Sequence, residues 1–221
     1  YITSHTSSSN FPVTDDAFDQ DYNNDFGPTF IVDQDAIVAK FNSDLSSLYW
    51  STFLGGDGAD TGSGLRLDDN NNVYVTGTAG HSNFPSLSGG YQETHLGGVE
   101  DAYVVLLSAD GSELLYTTFF GTTYNEHSYF LDIDEKDNIH IYGQTTGSIS
   151  PSPAGTYSTD NDSPQFLAAF DKTLSSLVYK TNIGNGPLDP DVTIFQYIPV
   201  ALMVDKCDNI YFSGYFAEAG L

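Results

Sequence analysis

The chain has 221 residues, 39% of them hydrophobic and 14% aromatic, with six Lys and Arg against 30 Asp and Glu and a formal net charge of −24. So few bases exclude duplex nucleic acid as a partner, and the same acidity repels an anionic membrane surface. A lone cysteine, Cys207, excludes an internal disulfide, and no run of about 18 apolar residues marks a membrane helix, so direct membrane insertion is not expected.

In chain order, Tyr1 to Ser4 opens as a short extended run, followed by a loop from roughly His5 to Asp33. DAIVAKF (Asp35 to Phe41) and LYWSTFLGG (Leu48 to Gly56) then read as strands, being short, β-branched or aromatic, and bounded by Gly, Asn, Asp or Ser. GLRLD (Gly64 to Asp68) and NVYVTG (Asn72 to Gly77) flank the run DDNNN, a hairpin turn in which Asp and Asn accept positive φ. A second long loop, Thr78 to Glu100, leads to DAYVVLL (Asp101 to Leu107) and LLYTTFFG (Leu114 to Gly121). FLDID (Phe130 to Asp134) and NIHIYG (Asn138 to Gly143) come next, then a third loop from Gln144 to Ser163. PQFLAAF (Pro164 to Phe170), LVYKTNIG (Leu177 to Gly184), LMVD (Leu202 to Asp205) and NIYFSG (Asn209 to Gly214) complete the set of thirteen strands. No amphipathic helix is apparent.

These elements return in the same order. Gly55 to Gly121 is 66 residues and Gly121 to Gly184 is 63, while Asn10-Phe11-Pro12 and Asn83-Phe84-Pro85 lie 73 apart. Within the strands Val73 and Val75 face one way and Tyr74 and Thr76 the other, an alternation repeated by Ile139/Ile141 and Ile210/Phe212. Four antiparallel strands in a period of about 65 residues are the pattern of a propeller blade with one enlarged loop. The predicted fold is therefore all-β: a β-propeller fragment of four-stranded antiparallel blades, about three blade-equivalents in an open arc. It divides into an incomplete blade over 1–56, blades over 57–121 and 122–184, and the first half of another over 185–221. The alternative is an open β-solenoid, whose repeats are usually much shorter. An open arc exposes blade faces and sheet edges. The chain is thus expected to continue on both sides, with the remainder of the same propeller as its first partner.

Tyr49 to Gly56, Asp68 to Gly77 and Asn83 to Pro85 resemble the bacterial β-propeller repeat called SBBP. Its hallmarks are a strand ending Tyr-Ser-Thr-Tyr-Leu-Gly-Gly, an Asp-x-x-Gly-Asn-Val-Tyr-Val-Thr-Gly hairpin and an Asn-Phe-Pro loop. Phe18, Tyr91 and Tyr157 occupy the aromatic position that follows the loop proline in that family. Asp205 to Tyr211 is similar to a segment of very large surface proteins that carry a gliding-motility-associated C-terminal sorting domain and leave the cell by type IX secretion. Asp208 stands where that pattern has Gly, and Ser150-Pro151 where the other loops have Asn-Phe-Pro. The resemblance implies an exported propeller, secreted or on the outer surface of a Gram-negative bacterium, with no catalytic set.

Two acidic groups are candidate calcium ligands, because Ca²⁺ takes several clustered oxygens. Asp57 and Asp60 lie in the linker between blades, and Asp132, Asp134 and Asp137 in LDIDEKDN. The competing readings are linker flexibility and turn chemistry. No other cofactor is implied. His5, His81, His95, His127 and His140 lack metal-ligand spacing, and His140 aligns with Tyr74 and Tyr211 as a packed strand residue. Cys207, beside Lys206 in a hairpin turn, is read as structural, with a reactive thiol as the alternative. Tyr49 and Trp50 are read as blade packing. Phe84, Tyr91 and Tyr157, on the long loops, are candidates for stacking on a carbohydrate, with tucking of each loop against its own blade as the alternative.

Together these observations predict a non-catalytic binding or scaffold propeller whose long-loop rim contacts glycan, protein or substratum. The alternatives are a polysaccharide-processing enzyme, whose two carboxylates no motif singles out, and a cargo or subunit of a surface secretion or motility assembly.

Overall fold

The computed structural model describes residues 1–23, 33–80, 83–159, 163–184 and 197–216. Among them are thirteen strands and no helix. They are β1 (Ile2–Thr6), β2 (Asp35–Phe41), β3 (Leu48–Leu54), β4 (Thr61–Leu67), β5 (Val73–Ala79), β6 (Asp101–Leu107), β7 (Leu114–Phe120), β8 (Glu126–Ile133), β9 (Ile139–Thr145), β10 (Gln165–Phe170), β11 (Leu177–Ile183), β12 (Tyr197–Val204) and β13 (Ile210–Phe216). Every strand pairing is antiparallel, and the sheets run β1-β2-β3, β4-β5-β6-β7, β8-β9-β10-β11 and β12-β13. The sheets follow one another without closing, an open arc of blades. A solenoid, built by winding one strand per coil, is excluded by this meander within each sheet.

Both faces of the middle strands are covered, so β5, β6, β9 and β10 are buried along their whole length. Alternate side chains enter different cores, as the period of two requires. Val73, Val75, Tyr103, Val105 and Leu107 join Val38, Trp50 and Leu54 in the core between the first and second blades. Their neighbours Tyr74, Val104 and Leu106 join Ile139, Ile141, Phe166 and Phe170 in the core between the second and third. A smaller core of Tyr142, Leu167 and Leu202 lies between the third blade and the β12-β13 pair.

Two register shifts recur in each complete blade. One lies between Gly62 and Gly64 in β4 and between Ser128 and Phe130 in β8; the other between Leu106 and Leu107 in β6 and between Ala169 and Phe170 in β10. Bulges of this kind increase the twist of the strands. The first has a sequence consequence: a Cβ at Gly77 would collide with the Thr61 carbonyl, and one at Gly143 with that of His127.

The inner strands β4, β8 and β12 are neighbours round the inside of the arc. Asp132 joins all three, accepting from Arg66 Nε at 2.9 Å on one side and from the Val204 amide at 2.8 Å on the other. Lys136 and Asp208 pair across the second of these junctions.

Phe166 has no exposed surface and its ring lies 4.7 Å from that of Phe120 in the neighbouring blade. Phe166→Ala is expected to lower unfolding stability by about 3–5 kcal/mol. Leu45→Ala, at a side chain 75% exposed, is expected to change it by less than about 0.5 kcal/mol. Denaturant unfolding of the two variants checks the contrast.

Candidate functional site

The long loops leave one end of each blade, but they do not stand free as a rim. Each runs back along the outer edge of its own fourth strand. Thr14 donates its amide to the Ser51 carbonyl, and Phe53 donates to that of Asp19. In the next blade Leu87 N–H bonds Thr117 Oγ1 at 2.8 Å and Phe119 donates to the Gln92 carbonyl. In the third, Ser152 and Lys180 exchange both backbone bonds. The loops thus cover β3, β7 and β11, which would otherwise be open sheet edges.

This routing separates the three loop aromatics. Phe84 is 3% exposed, its ring 4.3 Å from Tyr103 and 6.0 Å from Phe119, so it is core and not a stacking platform. The Asn-Phe-Pro turn folds inward because two aromatic rings offer it apolar surface. Tyr91 is at the surface, packed 5.7 Å from Phe170, and borders a small cleft with Gln92, Ser150 and Lys180. Tyr157, on the following blade, is 74% exposed. A second reversal concerns β3. Trp50 is buried and donates to the Ala109 carbonyl at 3.0 Å, as blade packing requires, but Tyr49 is 60% exposed. Tyr49 faces outward at the strand end with Lys40 Nζ 5.9 Å from its ring.

The two proposed calcium clusters do not assemble. Among the described residues no group of three or more His, Cys, Asp or Glu is placed to hold a metal ion. Asp132 is held by Arg66 and Val204, and Asp137 takes a φ of 63° at a turn corner. Asp134 caps its turn, accepting from the amides of Lys136 and Asn138 and from Asn138 Nδ2. It also meets His140 Nε2 at 3.0 Å, and His140 Nδ1 meets the Tyr179 hydroxyl at 2.9 Å. Burial alone would raise the Asp134 pKa, but the His140 and Asn138 hydrogen bonds bring it down to about 2. His140 is thus a buried strand residue with a polar role.

Asp57 stays near the surface, its amide bonded to Asn83 Oδ1, while Asp60 is fully buried and takes the Gly56 amide at 2.7 Å and the Gly80 amide at 2.8 Å. Glu126 occupies the same place one blade on, accepting from Thr122 N–H, Thr122 Oγ1 and Thr145 Oγ1. A second buried acid accompanies each. Asp35 accepts from Asn23 N–H, and Asp101 from Leu96 N–H and Gln92 Nε2. Asp35 and Asp60 meet at Gly55, where a Cβ would stand 2.8 Å from Asp35 Oδ1 and 2.9 Å from Asp60 Oδ2. Burial pushes Asp35, Asp60 and Asp101 up to about 7, with further lift on Asp60 from Asp35 and on Asp101 from Glu126. These positions carried a sequence signal: Asp35 and Asp101 begin aligned strands, and Asp60 and Glu126 are 66 residues apart, the blade spacing itself.

Open surface remains at the opposite end, where the hairpin turns lie. A cleft of about 600 Å³ between the second and third blades is lined by Asp68, Asp69, Asn70, Asp134, Glu135 and Lys172, over a floor that includes Tyr74. A wider one, about 940 Å³, lies between the first and second blades, where Asp15, Asp16 and Asp110 surround Tyr49 and the edge of Trp50. Both are grooves at blade junctions, rich in oxygen acceptors. The second adds an exposed aromatic ring.

A family model described as SBBP, a beta-propeller repeat, matches residues 50–85. The matched stretch runs from Trp50 through β4 and β5 to the Asn-Phe-Pro turn, so it spans the first blade junction. No curated protein matches the chain. No helix among the described residues is long and apolar enough to cross a membrane.

The buried acids set the pH dependence. A carboxyl at about 7 in the folded chain and near 3.8 when unfolded keeps a proton that the unfolded state has lost. Unfolding free energy therefore falls as pH rises from about 4 to about 7. Asp134 acts oppositely, its contribution being lost as pH drops from about 4 towards 2. Maximum thermal stability is expected near pH 4–5, with a decline towards pH 8. Asp35→Asn keeps an acceptor for Asn23 and removes a charge beside Asp60, so it is expected to flatten that decline. Thermal melts from pH 3 to 8 on both chains measure it.

Proposed function

We propose that the chain is a non-catalytic binding and scaffold module of a larger exported protein. The observation that carries the reading is the junction groove at the turn-bearing end, where Tyr49 lies open among Asp15, Asp16 and Asp110. An aromatic ring flanked by carboxylates suits a polyhydroxylated ligand, which presents apolar C–H faces to the ring and hydroxyl donors to the acids. A glycan or a glycosylated surface protein is the class of partner this favours, with adhesion as the role. The remainder of the same propeller is the structural partner.

Catalysis is not part of this reading. The carboxyls with the most displaced pKa values, Asp35, Asp60 and Asp101, have no exposed surface and are occupied in holding loop amides. A general acid must reach its substrate. Placement outside the cell, by type IX secretion in a gliding or related bacterium, rests on the likeness of Asp205 to Tyr211 to segments of large surface proteins.

Screening the chain on a glycan array, with a parallel pull-down of surface proteins, tests the proposal. A ligand is expected whose affinity falls at least tenfold, about 1.4 kcal/mol, in Tyr49→Ala, with little change in Tyr157→Ala. Silence in both screens, or a ligand indifferent to Tyr49, would leave the chain a spacer.

A further inference from the structure

Two turns meet across the first blade junction, and each carries acids. Thr14 to Ala17 closes with a 3.0 Å bond from the Ala17 amide to the Thr14 carbonyl, and the Thr14 amide ties the turn to the Ser51 carbonyl of β3. Asp15 and Asp16 are its exposed corners. Opposite lies the turn from Ser108 to Glu113, which carries Asp110. Phe18 fastens the two together by donating its amide to the Gly111 carbonyl at 2.9 Å. Trp50 supports that bond from below: it donates to the Ala109 carbonyl, and a Cβ on Gly111 would stand 2.4 Å from its ring. The groove of about 940 Å³ at this junction is thus held in shape by the fold itself.

Its charges are fixed as firmly as its walls. Asp110 takes Ser108 Oγ at 2.6 Å, Ser112 Oγ at 2.8 Å and the Ser112 amide at 3.2 Å, all on Oδ1. These bonds bring its pKa down to about 2 and leave the second oxygen to a visitor. No Lys or Arg is among the described residues that line the groove. The Tyr49 ring already attracts one ammonium, with Lys40 Nζ 5.9 Å from its centre. The next junction supplies the contrast. The same scaffold is there, with the Tyr91 amide on the Leu174 carbonyl at 2.8 Å. By the spacing of the repeat, however, Asp15, Asp16, Asp110 and Tyr49 give way to Ser88, Gly89, Thr173 and Leu115. Packing of a junction therefore requires neither the acids nor an open ring at these positions.

We propose that this groove selects saccharides bearing a free amino group: the ammonium of a hexosamine sits among Asp15, Asp16 and Asp110 while a face of the sugar lies on Tyr49. The inference rests on the glycan reading above and narrows it to one charge class. A neutral sugar leaves three carboxylates unmatched, and an acidic one is repelled by them. A lysine-rich peptide brings ammonium groups but no rigid apolar face for the ring, so it fits half of the site.

Calorimetric titration of the full chain at about pH 5.5, where carboxylates are ionised, compares a glucosamine hexamer, its N-acetylated form and hexalysine. The glucosamine hexamer is expected to bind at least about tenfold tighter than the acetylated one. Tyr49→Ala is expected to weaken both sugars, whereas Asp15→Asn with Asp16→Asn, at two exposed corners, removes only the advantage of the amine. Because the whole chain is acidic, hexalysine reads diffuse attraction. Hexalysine as tight as the glucosamine hexamer, with both indifferent to Tyr49→Ala, would overturn the proposal. Equal affinity for the two hexamers, lost in Tyr49→Ala, would overturn amine selection and leave the glycan reading standing. No binding of either hexamer would overturn it as well, and the glycan reading falls with it only where the array is also silent.

Discussion

A four-stranded sheet whose strands are apolar on both faces cannot fold alone in water. Here that constraint is severe: β5, β6, β9 and β10 have no solvent face. Residue by residue, each strand feeds two cores, with Val75 turned to one neighbouring blade and Tyr74 to the other. No blade has a core of its own, and stability resides in the junctions between blades, as in other repeat architectures. The remaining links follow the same logic. Asp132 ties three inner strands, and Trp50, Phe18 and Tyr91 reach into the next blade's turn. The cohesion of the arc is a sum of nearest-neighbour terms.

Edges are the complementary problem, and the long loops answer it. By hydrogen-bonding along β3, β7 and β11 they occupy backbone groups that would pair with another chain. Fixing such loops requires acceptors at their ends, where several backbone amides converge inside the protein. A carboxylate serves two or three donors at once: Asp60 takes two amides, and Glu126, at the next junction, takes one amide and two hydroxyls. Among the described residues no Lys or Arg pairs with either acid, and the burial penalty appears as raised pKa values. In the third blade the column of Asp35 and Asp101 holds Pro164, which has no carboxyl to bury.

Much of the fold was legible because the repeat is written in strand-forming residues. Where it is not, the reading fell short. β4 starts at Thr61 and β8 at Glu126, ahead of the apolar GLRLD and FLDID, because Thr, Gly and Ser form strand only when a partner such as β5 or β9 lies alongside. Composition gave no way to see that Phe84 turns inward and Tyr49 outward. Both depend on what the neighbouring blade offers: rings for Phe84, an open groove for Tyr49. The acidic runs misled in a different way. Asp132, Asp134 and Asp137 are close in sequence, yet the strand alternation and the turn corner send them to Arg66, His140 and Lys172. Buried acids at Asp35 and Asp60, far apart in the chain, are the ones that meet.

The same geometry restricts what the grooves can hold. Junction grooves at the turn end are built from Asp-capped turns, whose amides are already taken by their own side chains: Asp68 binds Asn70 and Asn72, and Asp134 binds Lys136 and Asn138. Such turns therefore present carbonyl and carboxylate oxygens outward and few free donors. A visiting molecule must bring the donors itself, as hydroxyls or ammonium groups, and an anionic polymer meets repulsion on every side. Tyr49 adds an apolar plane to one groove, while the groove over Tyr74 has Lys172, already 3.4 Å from Asp137, and no comparable open ring. Two grooves of the same construction thus differ in chemistry through a few side chains. In a repeat whose cores are held nearly constant by packing, those few positions are where one junction can acquire a ligand preference that its neighbour lacks.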